Sequence, residues 1–342
     1  MRRFWRSWAA ALGGIAMLAG AAVAQGQPVG LRQVEFADPQ DPERVLALAV
    51  FYPAAVAGDA VRATLPFFEG LAFHRDAAPA EGGPFPLVLF SHGRGSNPMM
   101  YAWFHQLLAS QGHVVAAPYH YRANSYDANI AYLANMLWRR PKDLSLIVDA
   151  MLADPLWGPL VDPGRIGVAG HSQGGFTALW IGGASVDAAR YQRFQQGWRG
   201  NPAVPAHLRE TLPLDAAPAL DVADARIRAA FAMAPGVVQA FGMTAEGLAR
   251  AAIPVRITVG AGDTQTPPGP NAAFAAEHIP GAELAILPGD VGHEIFVNLC
   301  DQEGRDEFPE ACVDAPGVDR AAIHAEVGEA ALQFFGRALA AR

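Results

Sequence analysis

The run GHSQG at residues 170–174 sets Ser172 between Gly170 and Gly174, after the apolar stretch IGVA and before a segment of helical character. A serine so placed would sit at the tip of a strand-turn-helix elbow. The flanking glycines let strand and helix pass closely, and the hydroxyl lies at the positive end of the helix dipole. Nucleophilic attack is the chemistry this arrangement allows, against the alternative of a structural turn. A serine hydroxyl needs a base to take its proton. His293, in LPGDVGHEIF, follows the last expected strand and precedes the final helix, which makes it the best candidate. Asp263, in ITVGAGDTQTPP, is the carboxylate expected to hold the imidazole. It is released from a strand end by Gly260 and Gly262, at the carboxyl edge where sites form in open α/β sheets. Asp290 shares the tight loop of His293 and is badly placed to face its ring. His171 adjoins the serine but should point away from it as a packed, hydrogen-bonded histidine.

Acyl transfer also needs donors for a developing oxyanion. The backbone N–H of Gln173 follows the nucleophile and is one candidate. Arg94 supplies the other from LFSHGRGSN, where Gly93 and Gly95 let the chain turn its N–H toward the site. The side chain of Arg94 would meet an anionic group at the mouth or stay solvated. Met99, Met100 and Tyr101 follow closely, with Trp103 and Phe104 behind them, and are candidates to line an apolar pocket, core packing being the alternative for each. His92, His105 and His120 show neither an i, i+4 pair nor a compact cluster with carboxylates, so no metal and no cofactor are expected.

Residues of these types must be held by a scaffold. Short runs rich in Val, Ile, Leu and Phe at 46–52, 87–91, 114–117, 166–169, 229–233, 255–259 and 283–287 read as strands. Helical character falls at 100–111, 144–152, 174–183, 271–278 and 320–339. The alternation predicts a doubly wound, mostly parallel α/β sheet flanked by helices. Residues 185–225, with Tyr191, Phe194, Trp198 and scattered prolines, are too long for an ordinary connection and predict a cap-like insertion.

The first 24 residues carry a basic start, a short apolar run and small residues at Ala22 and Ala24, the pattern of a cleaved secretory signal peptide. Residues 25–342 then form the hydrolytic domain, periplasmic or secreted and without stable membrane insertion. The chain's only cysteines, Cys300 and Cys312, are expected to pair in an oxidising compartment. A composition of 51% hydrophobic and 17% charged residues suits a large core. A net charge of -8 without a basic cluster beyond the signal excludes a nucleic-acid footprint. A small molecule is the expected partner.

The order Ser172, Asp263, His293 resembles that of the α/β hydrolases. The segments LVLFSHGRGSNPMMYAWFHQLLASQGHVVAAPYHY, RIGVAGHSQGGFTALWIGG, VGAGDTQTPP, PGDVGHEIF and DRAAIHAEVGEAALQFFGRAL resemble the exported dienelactone-hydrolase-like branch, related to the platelet-activating-factor acetylhydrolases. The resemblance implies an eight-stranded-type hydrolase sheet and ester hydrolysis without cofactor. It also marks a departure: dienelactone hydrolases in the strict sense use a cysteine nucleophile, and this elbow has Ser172, so lactone specificity does not carry over. The expected activity is a serine carboxylesterase. The rivals are a phospholipid acetylhydrolase, polyester hydrolase, peptidase or acyltransferase on the same triad, or a binding protein that keeps the fold without turnover.

Overall fold

The computed structural model of the protein describes residues 26–56, 62–128, 137–202, 206 and 220–341. The expected signal segment, and residues 203–205 and 207–219 of the expected cap, lie outside the described residues. Strands β1 (Val29–Asp38), β2 (Asp41–Ala55), β3 (His74–Arg75), β4 (Ala78–Pro79), β5 (Phe85–Ser91), β6 (Val114–Tyr119), β7 (Val161–His171), β8 (Ile227–Met233), β9 (Val255–Gly260) and β10 (Glu283–Leu287) form one sheet. Its order is β10-β9-β8-β7-β5-β6-β2-β1-β3, with β4 on β2. From β6 to β10 the pairings are parallel, and the β1–β2 hairpin joins antiparallel to β6.

All seven strands expected from the apolar runs are present, several of them longer at their ends. The sheet also holds β1, β3 and β4, which no apolar run in the sequence marks. β1 is antiparallel and half solvated, so Val34 and Phe36 alternate with exposed Gln33, Glu35 and Ala37 where a buried parallel strand would read as a continuous apolar run. The central strands do read that way: Leu87 to Phe90 and Val114 to Ala117 are fully buried.

Helices α1 (Ala102–Ser110) and α5 (Arg320–Ala338) pack together on one face, and α2 (Arg139–Ala153) and α3 (Gln173–Ile181) meet each other on the other. Inside the expected cap-like insertion lies a regular helix, α4 (Ala188–Arg199). Its mean hydropathy is low, which is why apolar runs did not reveal it. Among the described residues no helix is long and apolar enough to cross a membrane.

After β5 the chain moves to β6 on one side, then crosses back to β7 on the other. The carboxyl ends of β5 and β7 are therefore neighbours at a topological switch point, the place where α/β sheets open a crevice. Ser91 pairs with Gly170 there. A Cβ on Gly170 would lie 2.3 Å from the carbonyl oxygen of Gly174, and one on Gly174 would lie 1.7 Å from that of Ser91. Neither neighbour can yield, because both are backbone. Gly174→Ala is expected to destabilise the fold by more than about 2 kcal/mol, measured by denaturant unfolding; a stability within about 0.5 kcal/mol of wild type would contradict this packing.

Candidate active site

The elbow geometry follows from that close approach. Ser172 has φ 56° and ψ -120° and occupies the N-cap position of α3. Side chains other than glycine rarely adopt this backbone conformation, and it persists only where neighbours over-determine it. Here the Ser172 N–H donates to the Met233 carbonyl at 3.0 Å, and the Ser172 carbonyl accepts from Gly236 N–H at 2.9 Å and Phe176 N–H at 3.0 Å. The serine is thus tied to the end of β8 and to its own helix.

Asp263 and His293 are buried and meet at 2.7 Å between Oδ2 and Nδ1. The carboxylate accepts from three further donors: the N–H of Gln265 at 2.9 Å, the N–H of Thr266 at 2.7 Å and the Thr266 hydroxyl at 2.8 Å. Burial pushes this carboxyl up, but the hydrogen bond and charge of His293, with the hydrogen bonds from Thr266, outweigh it and hold the group below its ordinary value. An ionised carboxylate beside Nδ1 requires the ring proton there, which leaves the Nε2 lone pair to act as base. Asp290 is exposed and does not compete.

His171 is packed and hydrogen-bonded, as expected, and it also touches the candidate base. Its Nε2 lies 3.1 Å from the His293 carbonyl, which can only accept, so Nε2 carries the proton. Its Nδ1 then accepts from the Tyr101 hydroxyl at 3.0 Å, and that hydroxyl receives the Gly93 N–H at 3.4 Å. Burial, followed by the neighbouring His293, holds His171 well below the ordinary histidine value. A neutral His171 therefore ties the loop after β5 to the loop after β10.

Ser172 and His293 line one cavity of about 680 Å³ together with Gly93, Arg94, Gly95 and Gln173. Gly95 has φ 63°, so the turn after β5 needs glycine there, while a Cβ on Gly93 would press to 3.1 Å on the Tyr101 hydroxyl. Of the three pocket candidates, Met100 and Tyr101 reach the cavity; Met99 packs against the core instead. Phe104 is core, and Trp103 stacks on His324 with ring centroids 3.9 Å apart.

Phe194, one of the aromatics of the expected insertion, reaches the cavity from α4, while several other lining groups carry no signal in the sequence. Val237 and Phe241 come from the segment after β8. Phe308, Glu310 and Ala311 come from the loop closed by the Cys300–Cys312 disulfide, which is present as expected. Only their place on the carboxyl side of the sheet marks them out, and that requires the fold.

The histidines set aside as metal candidates need one correction. His105 packs between Phe51 and Phe90, and burial pushes it down to about 3. His120, however, does meet a carboxylate, Asp143, at 3.1 Å from Nδ1. Sequence spacing could not show this, because β6 and α2 bring the two together from opposite ends of a connection. Among the described residues no three histidine, cysteine or acidic side chains gather as metal ligands.

A family model described as Chlorophyllase matches residues 76–189, about a third of the chain, from before β5 to the start of α4. No curated protein matches the chain significantly. Among solved structures, a ferulic acid esterase from Streptomyces cinnamoneus aligns with a TM-score of 0.64 and 24% identity, over 94% of this chain and 93% of its own. A puromycin-hydrolyzing peptidase from Mycobacterium tuberculosis aligns with a TM-score of 0.53 and 16% identity, over 96% of this chain and 41% of that one. The chain has the α/β-hydrolase fold.

If Ser172 is held in a strained conformation by its surroundings, removing the Cβ relieves it. Ser172→Gly is expected to be about 1 kcal/mol more stable than Ser172→Ala, measured by thermal and denaturant unfolding; a more stable alanine variant would contradict the strain.

Proposed function

We propose that the protein is an exported serine hydrolase that cleaves carboxylic esters through Ser172, His293 and Asp263. The observation that carries this reading is the Asp263–His293 pair at 2.7 Å, whose histidine lines the same cavity as the strained Ser172. His293 Nε2 takes the proton as Ser172 Oγ attacks the ester carbonyl. The backbone N–H groups of Arg94 and Gln173 receive the developing oxyanion. The imidazolium, stabilised by Asp263, passes its proton to the leaving alcohol, whose C–O bond breaks to leave an acyl-serine. A water then loses its proton to His293, attacks the acyl carbonyl and releases the acid and Ser172.

Met100, Phe194, Val237 and Phe241 give the cavity apolar walls, which favour neutral esters with an apolar acyl or alcohol part. The likeness to a ferulic acid esterase and the Chlorophyllase match support an ester as substrate. Of the expected insertion at 185–225, helix α4 acts as the capping part, because its Phe194 lies on the cavity. Export rests on the sequence of residues 1–24 and is supported by the disulfide.

The mature protein is expected to turn over p-nitrophenyl acetate, butyrate or octanoate faster than any peptide anilide. Asp263→Asn should lower kcat by about 10^4-fold, because the amide stabilises the wrong tautomer. Anilides cleaved faster than esters would favour a peptidase, and a folded protein inert toward both would favour a binding role.

A further inference from the structure

Beneath the loop that follows β5 lies a buried polar layer that the mechanism above does not use. Arg140, on the first turn of α2, is 4% exposed and donates to two successive backbone carbonyls, that of His92 at 2.5 Å and that of Gly93 at 3.2 Å. A weaker contact of 3.4 Å runs to the Ser91 hydroxyl. His120 holds that hydroxyl from the other side, at 2.8 Å from Nε2, while its Nδ1–H donates to Asp143. Asp143 in turn pairs with Arg44, which pairs with Asp38 at 2.6 Å. The charges of Asp38, Arg44, Asp143 and Arg140 sum to zero. His92 completes the layer: its Nδ1–H donates to the Gly93 carbonyl at 2.7 Å, and its Nε2 accepts the His120 N–H at 3.3 Å.

Two consecutive carbonyls aimed at one guanidinium fix two consecutive peptide planes. In a trans peptide the N–H points opposite to the C=O of the same plane. For the His92–Gly93 peptide the consequence is visible, since the Gly93 N–H points to the Tyr101 hydroxyl on the cavity side. The next peptide has its carbonyl on Arg140 as well, so its N–H, that of Arg94, is turned to the same side. We propose that Arg140 is a positioning residue for the oxyanion site: by holding the His92 and Gly93 carbonyls it fixes the peptide whose Arg94 N–H faces the reacting carbonyl.

An arginine suits this role. Its planar fork reaches two acceptors at once, and burial lowers it only to about 10, so it stays charged through neutral pH. His92 and His120 are held well below the ordinary histidine value, by burial first and then by Arg140, so neither contributes a competing positive charge. Glycine at position 93 makes the hold necessary, since that residue has no intrinsic preference for one peptide orientation.

The effect on rate rests on the esterase reading, but the orientation does not, and the test separates them. In a crystal structure of Arg140→Gln the Gly93–Arg94 peptide is expected to rotate and bring its carbonyl toward Ser172. An unrotated peptide overturns the inference whether or not the protein is an esterase. For ester turnover, Arg140→Gln should lower kcat by about 10^2-fold with KM within about threefold, the signature of a lost oxyanion donor. Rates are counted per active site titrated with a fluorophosphonate, so that unfolded protein does not enter. Arg140→Lys, able to reach one carbonyl, should recover part of that loss, and it carries the test if Arg140→Gln does not fold. A kcat per titrated site within threefold of wild type in the folded variant overturns the inference.

Discussion

The backbone contact between the first turn of α3 and the end of β5 is the constraint on which the rest of the site depends. Only hydrogen fits between Gly174 and the Ser91 carbonyl, and only hydrogen fits at Gly170. Because strand and helix pass so closely, the residue between them has no room for an ordinary turn, and Ser172 takes a positive φ. The same contact sets the loop after β5 beside the serine, so the candidate nucleophile and the candidate oxyanion donors share one junction of the sheet. A glycine-to-alanine change there would shift two parts of the candidate site together.

Around this junction the protein uses neutral histidines as fixed hydrogen-bonding spacers. His171 links Tyr101 to the His293 carbonyl, and His92 and His120 link the loop after β5 to α2. In each case the partners define the tautomer: a carbonyl or carboxylate must receive a ring N–H, and the other nitrogen then accepts. Burial keeps all three uncharged, so they position backbone without adding charge near His293. Two rigid supports result, one behind the candidate base and one beneath the candidate oxyanion loop. Preorganisation of this kind is what electrostatic stabilisation of a transition state needs, because the donors do not have to reorient during the reaction.

Much of this was legible in the sequence because it is written in local terms. The elbow has its glycines within two residues of the serine, and Asp263 and His293 each lie in the turn that follows an apolar strand. Their meeting at 2.7 Å is what strand order makes of that local placement. The illegible parts are those where chemistry comes from residues with ordinary neighbours. Arg140 and Asp143 sit on a helix whose sequence looks like a solvated face, yet both are buried because a polar loop needs partners beneath it. β1 alternates with exposed residues instead of showing the continuous apolar run of the central strands, and α4 is too polar to show an apolar run. His120 meets Asp143 through tertiary structure alone, so spacing in the sequence does not show it. The disulfide was foreseeable from compartment and count, but its loop as a wall of the cavity was not.

The most direct test of the central claim, that Ser172 is an activated nucleophile, is to treat the folded mature protein with a fluorophosphonate and locate the adduct by peptide mass spectrometry. The account predicts one adduct, on the peptide containing Ser172, absent from Ser172→Ala and strongly slowed in a His293→Ala variant. A folded protein that takes no adduct, or takes it on another residue with Ser172 unmodified, would contradict it.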